Sequence, residues 1–93
     1  MTTRARILLV DDHELFREGV AKIINSQPDM EVVGQADDGL EALTMAHELL
    51  PDLVLMDINM PLSDGLEATQ LIHSSMPNSR IIMLTAYEEE EKL

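Results

Sequence analysis

The sequence predicts an α/β domain in which helices flank a parallel sheet. Short apolar runs typical of buried strands alternate with longer stretches in which apolar residues recur every three or four positions. The links are short and marked by proline: Pro28-Asp29, Pro51-Asp52 and Pro77-Asn78 each lie between a helical pattern and the next strand. This alternation is typical of one parallel sheet with right-handed crossovers.

Four strands are predicted, at residues 7–10, 31–35, 53–56 and 80–85. The first, third and fourth are continuous aliphatic runs, the pattern of strands buried on both faces. The second is the weaker strand pattern. Each strand is short, as expected for a small domain.

Three helices are predicted between the strands, each with one apolar face. The first begins near Asp11, which with Glu14 resembles a capping box. The segment Asp-Gly-Leu-Glu-Ala occurs at 38–42 and again at 64–68, and indicates the starts of the second and third helices. The predicted faces are Phe16, Val20, Ile23 and Ile24; Leu40, Leu43, His47 and Leu50; and Ala68, Ile72 and Ser75.

Composition restricts the function. The chain has 93 residues, enough for one domain, and a formal net charge of −12. This charge repels phosphate backbones, so direct nucleic-acid binding is not expected, although acidity also serves solubility alone. The sequence contains no cysteine, no apolar stretch long enough to span a membrane and no secretory signal pattern. We therefore expect a cytoplasmic protein without a membrane anchor.

Polar residues end three of the predicted strands. Asp11-Asp12 follow the first, Asp57 the third, and Thr85 the fourth. Parallel strands end at one edge of a sheet, so these residues meet if the three strands are neighbours. Converging carboxylates repel one another, and Mg²⁺ with oxygen ligands would relieve this. Taken separately, Asp11 could be a helix cap, Asp57 a strand end and Thr85 a strand residue with a local hydrogen bond.

The same residues suggest phosphoryl chemistry. A carboxylate beside Mg²⁺ can attack phosphorus, and the Thr85 hydroxyl could hold a phosphoryl oxygen. The histidines His13, His47 and His73 have no metal-ligand spacing, and we expect them on helix surfaces or partly packed.

Three segments, 9–19 (LVDDHELFREG), 56–68 (MDINMPLSDGLEA) and 84–86 (LTA), resemble the receiver domain of bacterial two-component response regulators. The first is most similar to regulators that carry a LuxR/FixJ-type helix-turn-helix after the receiver. The resemblance implies a flavodoxin-like fold with strand order 2-1-3-4-5. It also implies a regulatory module that is not an enzyme, phosphorylated by a sensor histidine kinase and controlling a DNA-binding domain.

The resemblance implies roles for individual residues. Asp57 would accept the phosphoryl group, Thr85 would be the switch hydroxyl, and the backbone N–H of Ala86 would face the phosphate. Asp12, Asp57 and the backbone carbonyl of Asn59 would bind Mg²⁺. Asp11 would assist the metal through water.

The sequence departs from the family pattern after the fourth strand. The fifth strand and last helix have no counterpart, and neither do the phosphate-binding lysine and switch aromatic of the family. We therefore expect residues 1–93 to be the N-terminal part of a receiver, with strand order 2-1-3-4 and no output domain. Residues 80–85 would then form an open, apolar sheet edge, which predicts self-association.

Two other functions fit the same residues. A Mg²⁺-dependent phosphatase or phosphotransferase with an aspartate nucleophile, as in haloacid-dehalogenase-like enzymes, would need a second acid at residue 59, where this chain has Asn59. A receiver that dimerises without taking phosphate would fit the missing lysine. Phosphorylation with a small donor separates this interaction module from a receiver that takes phosphate.

Overall fold

The computed structural model describes residues 4–57, 62–75 and 78–84, with the backbone alone at 57, 62–68 and 83–84. Strands and helices alternate as β1 (Ala5–Val10), α1 (Glu14–Asn25), β2 (Met30–Ala36), α2 (Gly39–Leu49), β3 (Leu53–Asp57), α3 (Leu62–Ser75) and β4 (Arg80–Leu84). The strands form one sheet of order β2-β1-β3-β4, in which every pair is parallel. The predicted fold class and strand order are confirmed.

The two faces of the sheet carry separate cores because side chains alternate along each strand. Leu8, Val10, Val54 and Met56 point toward α2 and α3, where Ile72 is fully buried among them. On the opposite face, Ile7, Leu9, Leu53 and Leu55 pack with α1. The central strands β1 and β3 are thereby fixed with their carboxyl ends side by side.

Helix α1 faces the sheet with a different stripe from the predicted one. Ile24 is buried as expected, but Phe16 is 40% exposed and Ile23 is 67% exposed. The stripe turned toward the sheet is Arg17, Val20, Ala21 and Ile24. The prediction counted apolar residues, whereas Arg17 lies inward because its guanidinium finds hydrogen-bond acceptors at the strand ends.

Helix α2 is also rotated from the predicted face. Leu40 is 76% exposed and Leu50 63%, whereas Ala42 and Ala46 are fully buried. Two alanines against the sheet allow close packing, and Gly34 of β2 lies beneath the helix side chains. The predicted face was right for Leu43, which packs against the core, and wrong for Leu40 and Leu50, because it favoured the largest apolar residues over the smallest.

The helix ends show local capping. The Asp38 carboxylate accepts a hydrogen bond from Glu41 N at 2.8 Å, which confirms the predicted start of α2. Before Pro51, α2 ends with Leu50 in the left-handed region at φ 50°. Helix α3 begins at Leu62, two residues earlier than predicted, and Ser75 on its predicted apolar side is exposed.

Among the described residues, no helix is sufficiently long and apolar to cross a membrane.

Candidate functional site

The site begins where β1 ends, at the acidic turn formed by Asp11, Asp12 and His13. Asp11 is only 4% exposed. Its backbone N–H donates to the carbonyl of Ala36 at 3.1 Å, which ties the end of β1 to the end of β2. A buried carboxylate needs hydrogen-bond or charge partners, because an unpaired one loses its hydration without compensation.

His13 supplies those partners. Its backbone N–H donates to Asp11 Oδ1 at 2.8 Å, and its Nδ1 lies 3.3 Å from Asp11 Oδ1 and 3.0 Å from Asp12 Oδ1. The N-cap residue of α1 is His13, and Glu14 is the first helical residue. The predicted capping box was therefore wrong, because it needs Asp11 at the N-cap and Glu14 three residues into the helix. As expected, His13 is exposed, but its position beside both carboxylates was not foreseen.

The donor set fits Mg²⁺. The ligand atoms of Asp11, Asp12 and His13 all lie within 4.8 Å of one another. Mg²⁺ prefers carboxylate oxygens completed by water, and the Asp12 side chain is 42% exposed, so water has access. The imidazole nitrogen is a poorer ligand for this hard ion, and Nδ1 lies where an N–H would donate to the two carboxylates.

Asp57 ends β3 beside the acidic turn. In the sheet register, Val10 pairs with Met56, so Asp11 and Asp57 are the next residues on two adjacent parallel strands. Asp57 itself pairs with Leu84, the last residue of β4. The backbone thus brings two of the predicted site positions to one edge. The other predicted site residues, Asn59, Thr85 and Ala86, lie outside the described residues.

Arg17 completes the surroundings of the turn, and sequence reasoning missed it. Nη1 donates to the carbonyl of Asp11 at 2.7 Å, lies 3.4 Å from the carbonyl of Ala36 and contacts Oδ1 of Asp37. Nε donates to Gln35 Oε1 at 2.9 Å. The available signal was an arginine one turn into a helix that directly follows the two acids.

Comparison with known proteins places this fold and acidic edge in a family. The response regulator receiver domain profile matches residues 7–93, and the chain belongs to this family. The response regulator protein VraR of Staphylococcus saprophyticus is 43% identical over 88 residues, and the transcriptional regulatory protein LiaR of Bacillus subtilis is 46% identical over the same length. Each alignment covers 95% of this chain and 42% of the relative, so the chain spans less than half the length of these proteins.

A solved structure gives the same result. The crystal structure of a two-component response regulator of the LuxR family from Aurantimonas sp. has a TM-score of 0.84 at 40% identity, covering 92% of this chain and 61% of that one. The chain is therefore a response-regulator receiver domain, similar to those of LuxR-type regulators. Such domains are regulatory and generally not enzymes, which favours the receiver over the haloacid-dehalogenase alternative.

Proposed function

We propose that this chain is the phosphoacceptor part of a transcription regulator, with Asp57 as the acceptor and a sensor histidine kinase as the donor. The observation that carries the proposal is the sheet register: Val10 pairs with Met56, which places Asp57 next to Asp11 at the carboxyl edge of the sheet. Strand ends of this kind border the ligand crevice in open α/β sheets. Membership of the receiver family supports the same role.

The proposed step is a phosphoryl transfer between two side chains. A carboxylate oxygen of Asp57 forms the new bond to phosphorus while the bond to the donor's histidine nitrogen breaks, which leaves an acyl phosphate and a free imidazole. Mg²⁺, when bound, neutralises charge on the phosphoryl group. Asp12 would hold the metal together with Asp57 and the backbone carbonyl of Asn59, and Asp11 would assist through water.

Phosphorylation with acetyl phosphate tests the acceptor. The parent chain should form a hydroxylamine-sensitive adduct seen by intact mass, and Asp57→Asn should form none because the nucleophilic carboxylate is gone. Asp29→Asn, at an exposed turn on the opposite edge of the sheet, is the matched control and should react like the parent. An adduct that survives in Asp57→Asn would move the acceptor elsewhere. A parent that forms no adduct but self-associates would favour the interaction-module alternative.

Isothermal titration tests the metal. The parent should bind Mg²⁺, Asp12→Ala should abolish binding, and Asp29→Ala should leave it unchanged. The titration should be repeated with Ca²⁺, which tolerates a looser oxygen site than Mg²⁺ does. If Asp12→Ala binds Mg²⁺ as the parent does, the ligand assignment is wrong.

Partners and place of action follow from the same role. Residues 1–93 would be the N-terminal part of a receiver in a cytoplasmic regulator whose DNA contacts are made by another domain. We also propose self-association with a second copy through β4, which lies at one end of the order of the described strands. In that strand Ile81 packs partly into the core, whereas Ile82 is 49% exposed.

Sedimentation velocity at several concentrations tests the self-association. The dimer fraction should rise with protein concentration, and also with salt, because screening weakens the repulsion between chains of net charge −12. Ile82→Thr keeps a β-branched residue but removes apolar surface, so it should lower the dimer fraction. A chain that stays monomeric and folded at every concentration would contradict this part of the proposal.

A further inference from the structure

We propose that Arg17 is a positioning residue for the Mg²⁺ site: by holding the Asp11 carbonyl it fixes the direction in which Asp12 presents its carboxylate. This inference rests on the proposed metal site, and it assigns a role to an arginine that touches neither metal nor phosphate in the proposed function. Arg17 lies about one helical turn after the two acids, within the segment 9–19.

One peptide group links Arg17 to Asp12. The carbonyl that accepts from Arg17 Nη1 at 2.7 Å belongs to the peptide bond between Asp11 and Asp12. Because a peptide group is planar, a fixed carbonyl fixes the plane on which the Asp12 backbone continues. The side chain of Asp12 is 42% exposed and contacts His13 Nδ1. Its direction therefore depends on the backbone that Arg17 holds and on the contact with His13.

The Arg17 side chain joins the acidic turn to the end of β2. Nη1 donates to the Asp11 carbonyl at 2.7 Å. The bond from the Arg17 backbone N–H to the carbonyl of His13, at 2.9 Å, is an ordinary helix bond that does not depend on this side chain. The side chain is only 12% exposed. Gln35 Oε1 accepts from Nε, and Asp37 contacts the same Nη1 that binds the Asp11 carbonyl. A planar guanidinium can serve these acceptors together, whereas a lysine ammonium acts as a single point of charge.

Mg²⁺ titration of Arg17 variants tests the inference. Loss of a group that orients a metal ligand typically lowers affinity about tenfold or more, and we expect that loss for Arg17→Met. Arg17→Lys should bind more weakly than the parent despite its retained charge. At saturating Mg²⁺, phosphorylation by acetyl phosphate should return to within about twofold of the parent, because a displaced ligand weakens binding while the acceptor is unchanged.

A second readout needs no metal. Amide hydrogen exchange at Asp12 and His13 should accelerate in metal-free Arg17→Met, because the turn loses its anchor. Arg4→Met is the matched control: Arg4 is an exposed arginine that lies 4.0 Å from Glu31, and its loss should change neither readout. Circular dichroism tests whether each variant is folded.

The outcomes separate the two proposals. If the parent binds no Mg²⁺, the proposed metal site fails, while faster exchange in Arg17→Met would still show that Arg17 holds the turn. If the parent binds and Arg17→Met binds within twofold of it, the positioning role is wrong. If Arg17→Met does not fold, Arg17→Lys decides in the same way. Should that variant also unfold, Gln35→Ala, at an exposed residue that anchors Nε, must weaken binding more than Arg4→Met does.

Discussion

The same substitution, glycine to alanine, should have opposite effects at Gly19 and Gly34. At Gly19, inside α1, a Cβ atom would meet no atom of the described residues within 4 Å. Alanine is favoured over glycine in a helix interior by about 1 kcal/mol. Gly19→Ala should therefore raise the free energy of unfolding by about 1 kcal/mol.

Gly34 lies where α2 packs onto β2, after a bulge at which the register shifts between Ile7 and Leu8. A Cβ atom there would lie 2.7 Å from Leu49 Cδ1, 2.8 Å from Met45 Cε and 3.3 Å from Leu8 Cδ1. These side-chain ends can rotate, but Leu8 has no exposed surface and all three pack into one core. Overpacking typically costs about 1–3 kcal/mol. The loss of unfolded-state entropy returns about 0.4–1 kcal/mol, so Gly34→Ala should be destabilised by about 1 kcal/mol net.

Thermal unfolding followed by circular dichroism measures the difference. For a domain of this size, 1 kcal/mol shifts the melting temperature by roughly 4–8 °C, so the two variants should melt roughly 10 °C apart, on opposite sides of the parent. Urea denaturation should give the same order. Equal stability of the two variants would refute the close approach of α2 to β2 at Gly34.

Further substitutions test the core and the helix ends, each by urea denaturation. Ile72→Ala removes a fully buried side chain and should lower the free energy of unfolding by about 2–5 kcal/mol. Leu71→Ala truncates a neighbouring side chain that is 45% exposed, and should lower it by less than about 1 kcal/mol. Equal losses would mean that α3 packs with another face. Asp38→Ala removes the cap of α2 and should cost about 1 kcal/mol; no loss would assign the cap to another group. Leu50→Gly should raise the free energy of unfolding by about 1 kcal/mol, because Leu50 is exposed and its backbone has a left-handed conformation that glycine adopts without strain. A lower free energy of unfolding would indicate that the Leu50 side chain packs.

The sequence alone determined the order of strands and helices and placed the acids at strand ends. Both follow from local patterns, since aliphatic runs indicate strands and parallel strands end at one edge. Asp11 and Asp57 could therefore be placed at the same edge from these patterns, and the register of β1 with β3 agrees. The neighbour relation of these strands came from family resemblance, because local pattern does not encode strand order.

The tertiary structure decided which side chains the helices bury. Apolar periodicity placed Ile23 and Leu40 inward, yet both are exposed. Helix rotation depends on partners distant in sequence: Gln35 and Asp37 bind the inward-facing Arg17 guanidinium, and Gly34 leaves room for the side chains of α2. A hydrogen-bond acceptor or a glycine on a distant strand leaves no periodic pattern in the sequence of the helix that it orients. For this physical reason the inward position of Arg17, on which its proposed role at the metal site depends, emerged only from the folded chain.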